Sequence, residues 1–348
     1  MLTTTVAGRT WDYEKSIGGN RFMVPWAAAT RDGVLYVLSR AIESIPPAAN
    51  RFTNNQTVTS VRIEDEEFLG NFGAFEFTWP VDIALDGEGR VFVSDEEQHK
   101  LFVYVDGVRE SEWGEHGDAA GQFNGPSGMD FDAEGNLFIV DSLAGRVQRF
   151  TPDGRYLGGW GRTGAAGGEF SRPWGLTVGP DGSVYVADWG NDRVQKFSPD
   201  GEHLLTFGGS KIRRYTAPTW NDVDLTGESP GSLNHPTGVA VDGDGDVYVA
   251  DWGNRRVQVY GADGGFVTTW WGGSGDFSKW AQDFLDASPD YQKAWRRAHP
   301  AELAAKGRFH RPINIVVDGD RIFVVESNRF RVQVFRKLRD YTDPQLNL

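Results

Sequence analysis

Carboxylates followed at a fixed spacing by a cation are the most frequent chemical signature in this chain. Asp95, Asp141, Asp188, Asp251 and Glu326 each stand five residues before Lys100, Arg146, Arg193, Arg256 and Arg331. One such pair can move a proton. Its recurrence assigns it to the scaffold, because opposite charges at facing strand positions stabilise a hairpin modestly. Asp242-Gly-Asp-Gly-Asp246 has the look of a calcium loop. It lacks the Glu and the length of an EF-hand loop, and it reads as turn chemistry. Histidines offer another chemistry, since three of them from separate elements can hold a catalytic metal with one position open. His99, His116, His235 and His310 are the candidates, with His299 nearby. Their positions are not equivalent, so hydrogen-bonding or surface roles are the plainer reading. Zn and Ca are the candidate ions, and the sequence does not choose between them. Cysteine is absent, which removes thiol nucleophiles, and no Gly-x-Ser-x-Gly elbow occurs. The Gly-rich stretch 160–170 has no Lys-Ser/Thr after it and opens no helix, which argues against a phosphate-binding loop.

The elements that must position these groups repeat. Residues 172–201, RPWGLTVGPDGSVYVADWGNDRVQKFSPDG, read as three short strands and two Pro-Asp-Gly turns. A matching proline opens six units, at Pro25, Pro80, Pro126, Pro173, Pro236 and Pro312. The strand-two marker and then the cation follow, with Ser39 as the marker in the first unit. Six copies of a three-to-four-strand unit predict a six-bladed β-propeller, all-β, filling 1–348 as one domain. The predicted blades are Phe22–Gly73, Trp79–Gly114, Gly125–Gly161, Arg172–Gly208, His235–Gly272 and Arg311–Phe335. The last blade stops after its third strand, and residues 10–18 resemble a fourth strand. They are expected to pair with 331–335 and close the ring, leaving 336–348 as a surface tail.

Deviations from the repeat are the guide to a site. Two residues after the proline, three blades have Gly128, Gly175 and Gly238, whereas the others have Ala27, Asp82 and Asn314. Those three blades are consecutive around a closed ring, so Asp82 and Asn314 are expected to project into one side of a central channel. The bland alternative is local backbone bonding. Trp26 and Trp174 follow the proline, and Trp189 and Trp252 follow the strand-two Asp. They are read either as packing between blades or as an aromatic wall. Arg172 and Arg311, directly before two of the prolines, complete the ligand-binding set. Insertions at 40–56, 210–234 and 273–310 all fall in links opening on one face, and 273–310 carries the spacing of two short helices. A helical cap over the channel mouth is the expectation.

The pattern F-x-x-P-x-G-x-x-x-D-x-x-G-x-[VL]-[YF]-V-x-D, then N-x-R-V-Q-x-[FY], resembles the NHL-repeat family of six-bladed propellers. FNGPSGMDFDAEGNLFIVD at 123–141 and HPTGVAVDGDGDVYVADWGNRRVQVY at 235–260 carry it best. The resemblance implies the fold and leaves function as a choice. Some NHL propellers bind RNA or proteins, some are extracellular sensors, and the peptidyl-hydroxyglycine α-amidating lyases are similar metal-dependent enzymes. Lactonases and strictosidine-synthase-like proteins are other six-bladed propellers.

A net charge of −14 opposes nucleic acid and anionic membranes as partners. No apolar run reaches the roughly 18 residues of a spanning helix, and MLTTTVAGRT lacks a signal core, so a soluble protein is expected. Two function classes result. One is a small-molecule lyase or hydrolase, with Asp82 as acid/base or metal ligand and His235 or His310 as partner. The other is a non-catalytic module that docks a ligand, a peptide or a protein partner.

Overall fold

Runs such as Val-Tyr-Val-Ala-Asp do not alternate in polarity, and the fold shows why. The computed structural model describes residues 3–6, 8–18, 22–40, 56–209, 229–272 and 309–339. It forms six antiparallel sheets arranged as the blades of a propeller. The second strands Val91–Asp95, Leu137–Asp141, Val184–Asp188 and Val247–Asp251 are buried at every position. Each has a neighbouring blade on both faces, so both faces must be apolar. The cores lie between blades. Phe138, Val140 and Val147 of blade three pack with Phe170, Leu176, Val186 and Phe197 of blade four. The fourth strands lie outermost, and Val108–Trp113 is exposed along most of its length.

The N-terminal strand closes the ring. Arg9–Gly18 pairs antiparallel with Arg331–Leu338, from Thr10 opposite Leu338 to Gly18 opposite Arg331. The last strand therefore runs beyond Phe335, and residues 336–338 are not surface tail. A further strand, Thr3–Val6, pairs with the start of Arg9–Gly18 and gives this blade five strands. Lys337 is buried and its Nζ reaches Asp242, Asp244 and Asp246 at 2.6, 2.9 and 2.8 Å. Arg9 Nε adds a second cation on Asp246 at 2.6 Å. The calcium-like loop is thus filled by side-chain cations that bind both ends of the chain to blade five. Burial by itself pulls the Lys337 pKa down, and the three carboxylates more than reverse it, leaving it raised.

The repeated carboxylate is the hub of each blade. Asp188 accepts from Ser171 N–H at 2.7 Å, Arg193 Nε at 2.8 Å and Gln195 Nε2 at 3.1 Å. Asp141, Asp251 and Glu326 hold the equivalent backbone N–H, arginine and glutamine. Blade two departs from the expectation. Lys100 faces Asp95 in register but its ammonium goes to Glu112 at 2.7 Å, while Asp95 takes Gln98 and the Thr78 and Trp79 N–H groups. A lysine lacks the guanidinium fork that serves a carboxylate and several carbonyls at once.

The expected cap and its helices at 280–298, with most of the insertions 40–56 and 210–234, lie outside the described residues. Among the described residues the helical elements are 3-10 turns at Trp189–Asn191, Trp252–Asn254 and Ser327–Arg329. No described helix is long and apolar enough to cross a membrane.

Candidate functional site

The innermost strand of each blade has a partner on one edge only, so its other edge turns backbone N–H and C=O groups toward the channel. Each innermost strand also carries a bulge just after its proline, which re-aims the residues that follow. The three glycines of the symmetry-breaking position answer to packing. A Cβ on Gly175 would stand 2.3 Å from Thr237 O, and one on Gly238 would stand 2.8 Å from Asn314 Cα. The neighbouring strand crosses too closely there for any side chain.

Asp82 and Asn314 come together, as their place in the ring predicts. Asn314 Nδ2 donates to Asp82 Oδ1 at 3.4 Å, reaching from blade six to blade two. Small, buried Ala27 lies at the same level in the blade between. Asp82 Oδ2 accepts from Met129 N–H of blade three at 2.9 Å, so it also caps an open strand edge. Burial pushes the Asp82 carboxyl up to about 7, against the pull of the Met129 and Ile83 N–H groups and with a smaller push from Asp130.

Asp130 repeats this arrangement one pleat deeper. It accepts from Thr177 Oγ1 at 3.0 Å and Val178 N–H at 2.9 Å, and burial raises its pKa too. The sequence reading passed over Asp130 and Thr177. The signal was present: four residues after the proline the other blades have Ala29, Ala84, Ala240 and Val316. Period-two alternation puts that position on the same face as Asp82.

Two voids adjoin these groups. A channel of about 240 Å³ runs along the innermost strands from Asp82 and Asn314, past Asp130 and Thr177, to Thr30 and Val317. A cavity of about 10 Å³ lies at its end, between Asp82, Asn314, Trp26, Trp174 and Thr237. Trp26 and Trp174 come from opposite blades, and their ring centroids are 6.2 Å apart. The Arg40 guanidinium lies 3.7 Å over Trp26 and 4.5 Å from Trp79, and Arg40 Nε donates to Pro80 O at 2.5 Å. These rings narrow the channel on the face where the insertions emerge.

The other predicted residues line the rim of that face. The His235 ring packs 4.2 Å from Trp189 and its Nδ1 lies 2.5 Å from Asn234 Oδ1. Arg311 lies 5.2 Å over Trp252. His310 donates its backbone N–H to Glu326 at 2.7 Å. Arg172 is exposed and, with Arg40, opposes the burial that raises the Glu96 pKa. Neither His235 nor His310 borders the voids at Asp82, so the geometry does not join them to it as acid–base partners. His99 and His116 pack on each other at 4.2 Å. Among the described residues no group of three or more His, Asp or Glu side chains is placed to hold Zn or Ca.

The NHL repeat family model matches residues 170–197 and 233–260, the first three strands of blades four and five with their lead-in residues. The molecule is a six-bladed propeller built on NHL repeats. Solved propellers resemble it over most of its length. A structural-genomics protein of unknown function from Bacteroides thetaiotaomicron is 17% identical, with a TM-score of 0.58 over 91% of this chain and 70% of that one. A gluconolactonase from Xanthomonas campestris is 14% identical, TM-score 0.56, covering 96% of this chain and 91% of its own. A catalytically inactive virginiamycin B lyase from Staphylococcus aureus, solved with quinupristin, is 13% identical, TM-score 0.55, over 94% and 99%. At these identities the NHL propeller shares a fold with them, and its site must be argued from its own residues.

Proposed function

We propose that this NHL propeller binds a small polar molecule in its central channel and acts on it as a lyase or hydrolase, with Asp82 as the proton-transferring group. The observation that carries this is the placement of Asp82: buried, on the wall of a channel of about 240 Å³, with its carboxyl pushed up to about 7. A general acid or base works best with a pKa near the working pH. Asn314 orients the carboxyl from one side and Met129 N–H from the other. Asp130 and Thr177 supply a second polar group, and the open strand edges supply further donors and acceptors. That volume suits a ligand of fragment size. The lactonase and lyase among the structural relatives make cyclic esters and lactones the first compounds to try.

Saturation-transfer NMR against small lactones and sugars tests the reading. Binding should survive Asp82→Asn while turnover is lost. Thr30→Trp, which fills the channel, should remove binding. Ligands that bind equally well to Thr30→Trp would sink it. A second reading, a non-catalytic ligand-binding module, is favoured by the part-exposed Trp26, Trp174, Trp189 and Trp252 at the mouth. It predicts binding without turnover.

A further inference from the structure

A left-handed residue closes each described strand 2–3 loop just before the scaffold cation. His99, Gly145, Asp192, Arg255 and Phe330 hold it, with φ of 55°, 66°, 55°, 56° and 52°. At two steps of the ring it meets the residue before the next blade's proline. Between blades four and five these positions are Asp192 and His235, a complementary pair. Asp192 Oδ1 accepts the His235 N–H at 2.9 Å and lies 3.7 Å from its ring. Between blades five and six the same two positions are Arg255 and Arg311. Both are cations, in a chain whose net charge is −14.

More positive charge gathers at this step. His310 precedes Arg311, and Arg329 comes from the loop of blade six. Burial, then Arg255, Arg329 and Arg311, all make His310 harder to protonate. Among the described residues Arg255 Nε and His310 Nδ1 are buried with no hydrogen-bond partner. Glu326, whose charge acts on His310, is committed: it accepts from the His310 N–H, from Arg331 Nε at 2.5 Å and from Gln333 Nε2 at 2.6 Å. A buried guanidinium N–H left unpaired is costly. An oxyanion answers it, because a guanidinium edge matches the geometry of carboxylate and phosphate. Trp252, with Arg311 over its ring, forms a flat wall beside the cluster.

We infer that the rim between blades five and six is an oxyanion-binding site, with Arg255 and His310 as its donors and Trp252 as its wall. Its ligand class is a small molecule bearing a carboxylate or phosphate on an aromatic or apolar body. The inference rests on the rim alone and stands or falls separately from the channel chemistry of Asp82.

Calorimetric titration of the full chain with phenyl phosphate, benzoate and inorganic phosphate tests it, in a chloride buffer. Phenyl phosphate or benzoate should bind more tightly than inorganic phosphate. Arg255→Asn and Arg255→Asp place residues that tolerate the left-handed conformation, and the second recreates the residue of blade four. Arg255→Asn should weaken binding about tenfold or more, the value of a charged hydrogen bond, and Arg255→Asp should abolish it. His310→Gln gives a second measure at the same site and should also weaken binding. Asp82→Asn should leave binding unchanged. The inference is overturned if no probe binds in the millimolar range, if the Arg255 and His310 variants bind as the parent does, or if Asp82→Asn removes binding.

Discussion

Asp82 ties stability to pH in a direction fixed by its surroundings. Its usual carboxyl value is 3.8 and its value in the fold is about 7. Between those values the folded chain holds a proton that the unfolded chain has released. The contribution to stability is therefore fully present below about pH 4 and is lost as pH rises through about 7. Wild type should lose stability relative to Asp82→Asn between about pH 5 and about pH 8, by roughly 2.5 kcal/mol. Urea unfolding of both proteins at the two pH values measures this, and parallel pH dependences would contradict it. The hub pairs are a second matter of residue scale. As exposed cross-strand pairs they would be worth little, but Asp251 and Arg256 are 0% and 1% exposed. Arg256→Ala leaves a buried carboxylate and should cost about 3–5 kcal/mol, well above the 0.2–1 kcal/mol of a surface pair. Chemical denaturation decides between the two ranges.

At the scale of elements, ring closure depends on two strands far apart in sequence. Deleting residues 1–18 removes the partner of Arg331–Leu338 and exposes its edge. The truncated chain should melt lower and self-associate on size exclusion; a monomer of unchanged stability would show that the pairing is dispensable. Lys337→Met should weaken the same closure, because Asp242 and Asp246 would lose their buried cation while Tyr248 and Arg9 remain. The Pro-Asp-Gly turns show how local and distant demands coincide. Gly201 has φ +89°, which turn chemistry asks for, and a Cβ there would also stand 2.5 Å from the Trp160 ring of the preceding blade. The first demand is visible in the sequence and the second only in the packed ring.

Over the whole molecule, cores shared between adjacent blades imply that the ring unfolds as a unit. Phe197 is fully buried in the cluster joining blades three and four. Phe197→Ala should lower stability by about 3–5 kcal/mol and shift tryptophan fluorescence and far-UV circular dichroism together. Separate transitions by the two probes would show that blades unfold independently. Charge is also distributed at this scale. The chain carries a net charge of −14 while the rim carries Arg40, Arg172, Arg255 and Arg311, so net charge alone says little about which ligands that rim attracts.

The blade count, the strand order within each blade and the closing role of residues 10–18 were determined by sequence. The first two depend on signals spaced within a few tens of residues: proline, turn glycine, strand-two carboxylate and cation; the third follows from a last blade that is one strand short. That Asp82 and Asn314 share one side of the channel was also legible, because a closed ring makes blades six, one and two neighbours. Tertiary structure decided the rest. Lys337 fills the Asp242–Asp246 loop from 91 to 95 residues away along the chain, and no local pattern marks a lysine for that place. The glycines opposite Asp82 reflect how closely neighbouring strands cross, a distance set by the whole ring. The pKa of Asp82 follows from its burial among four blades, and the clash of Arg255 with Arg311 from the stacking of two. Local patterning fixes which strands form, because propensity and turn chemistry act over a few residues. Burial and electrostatics act through space, so the chemistry of the channel and rim exists only once the ring has closed.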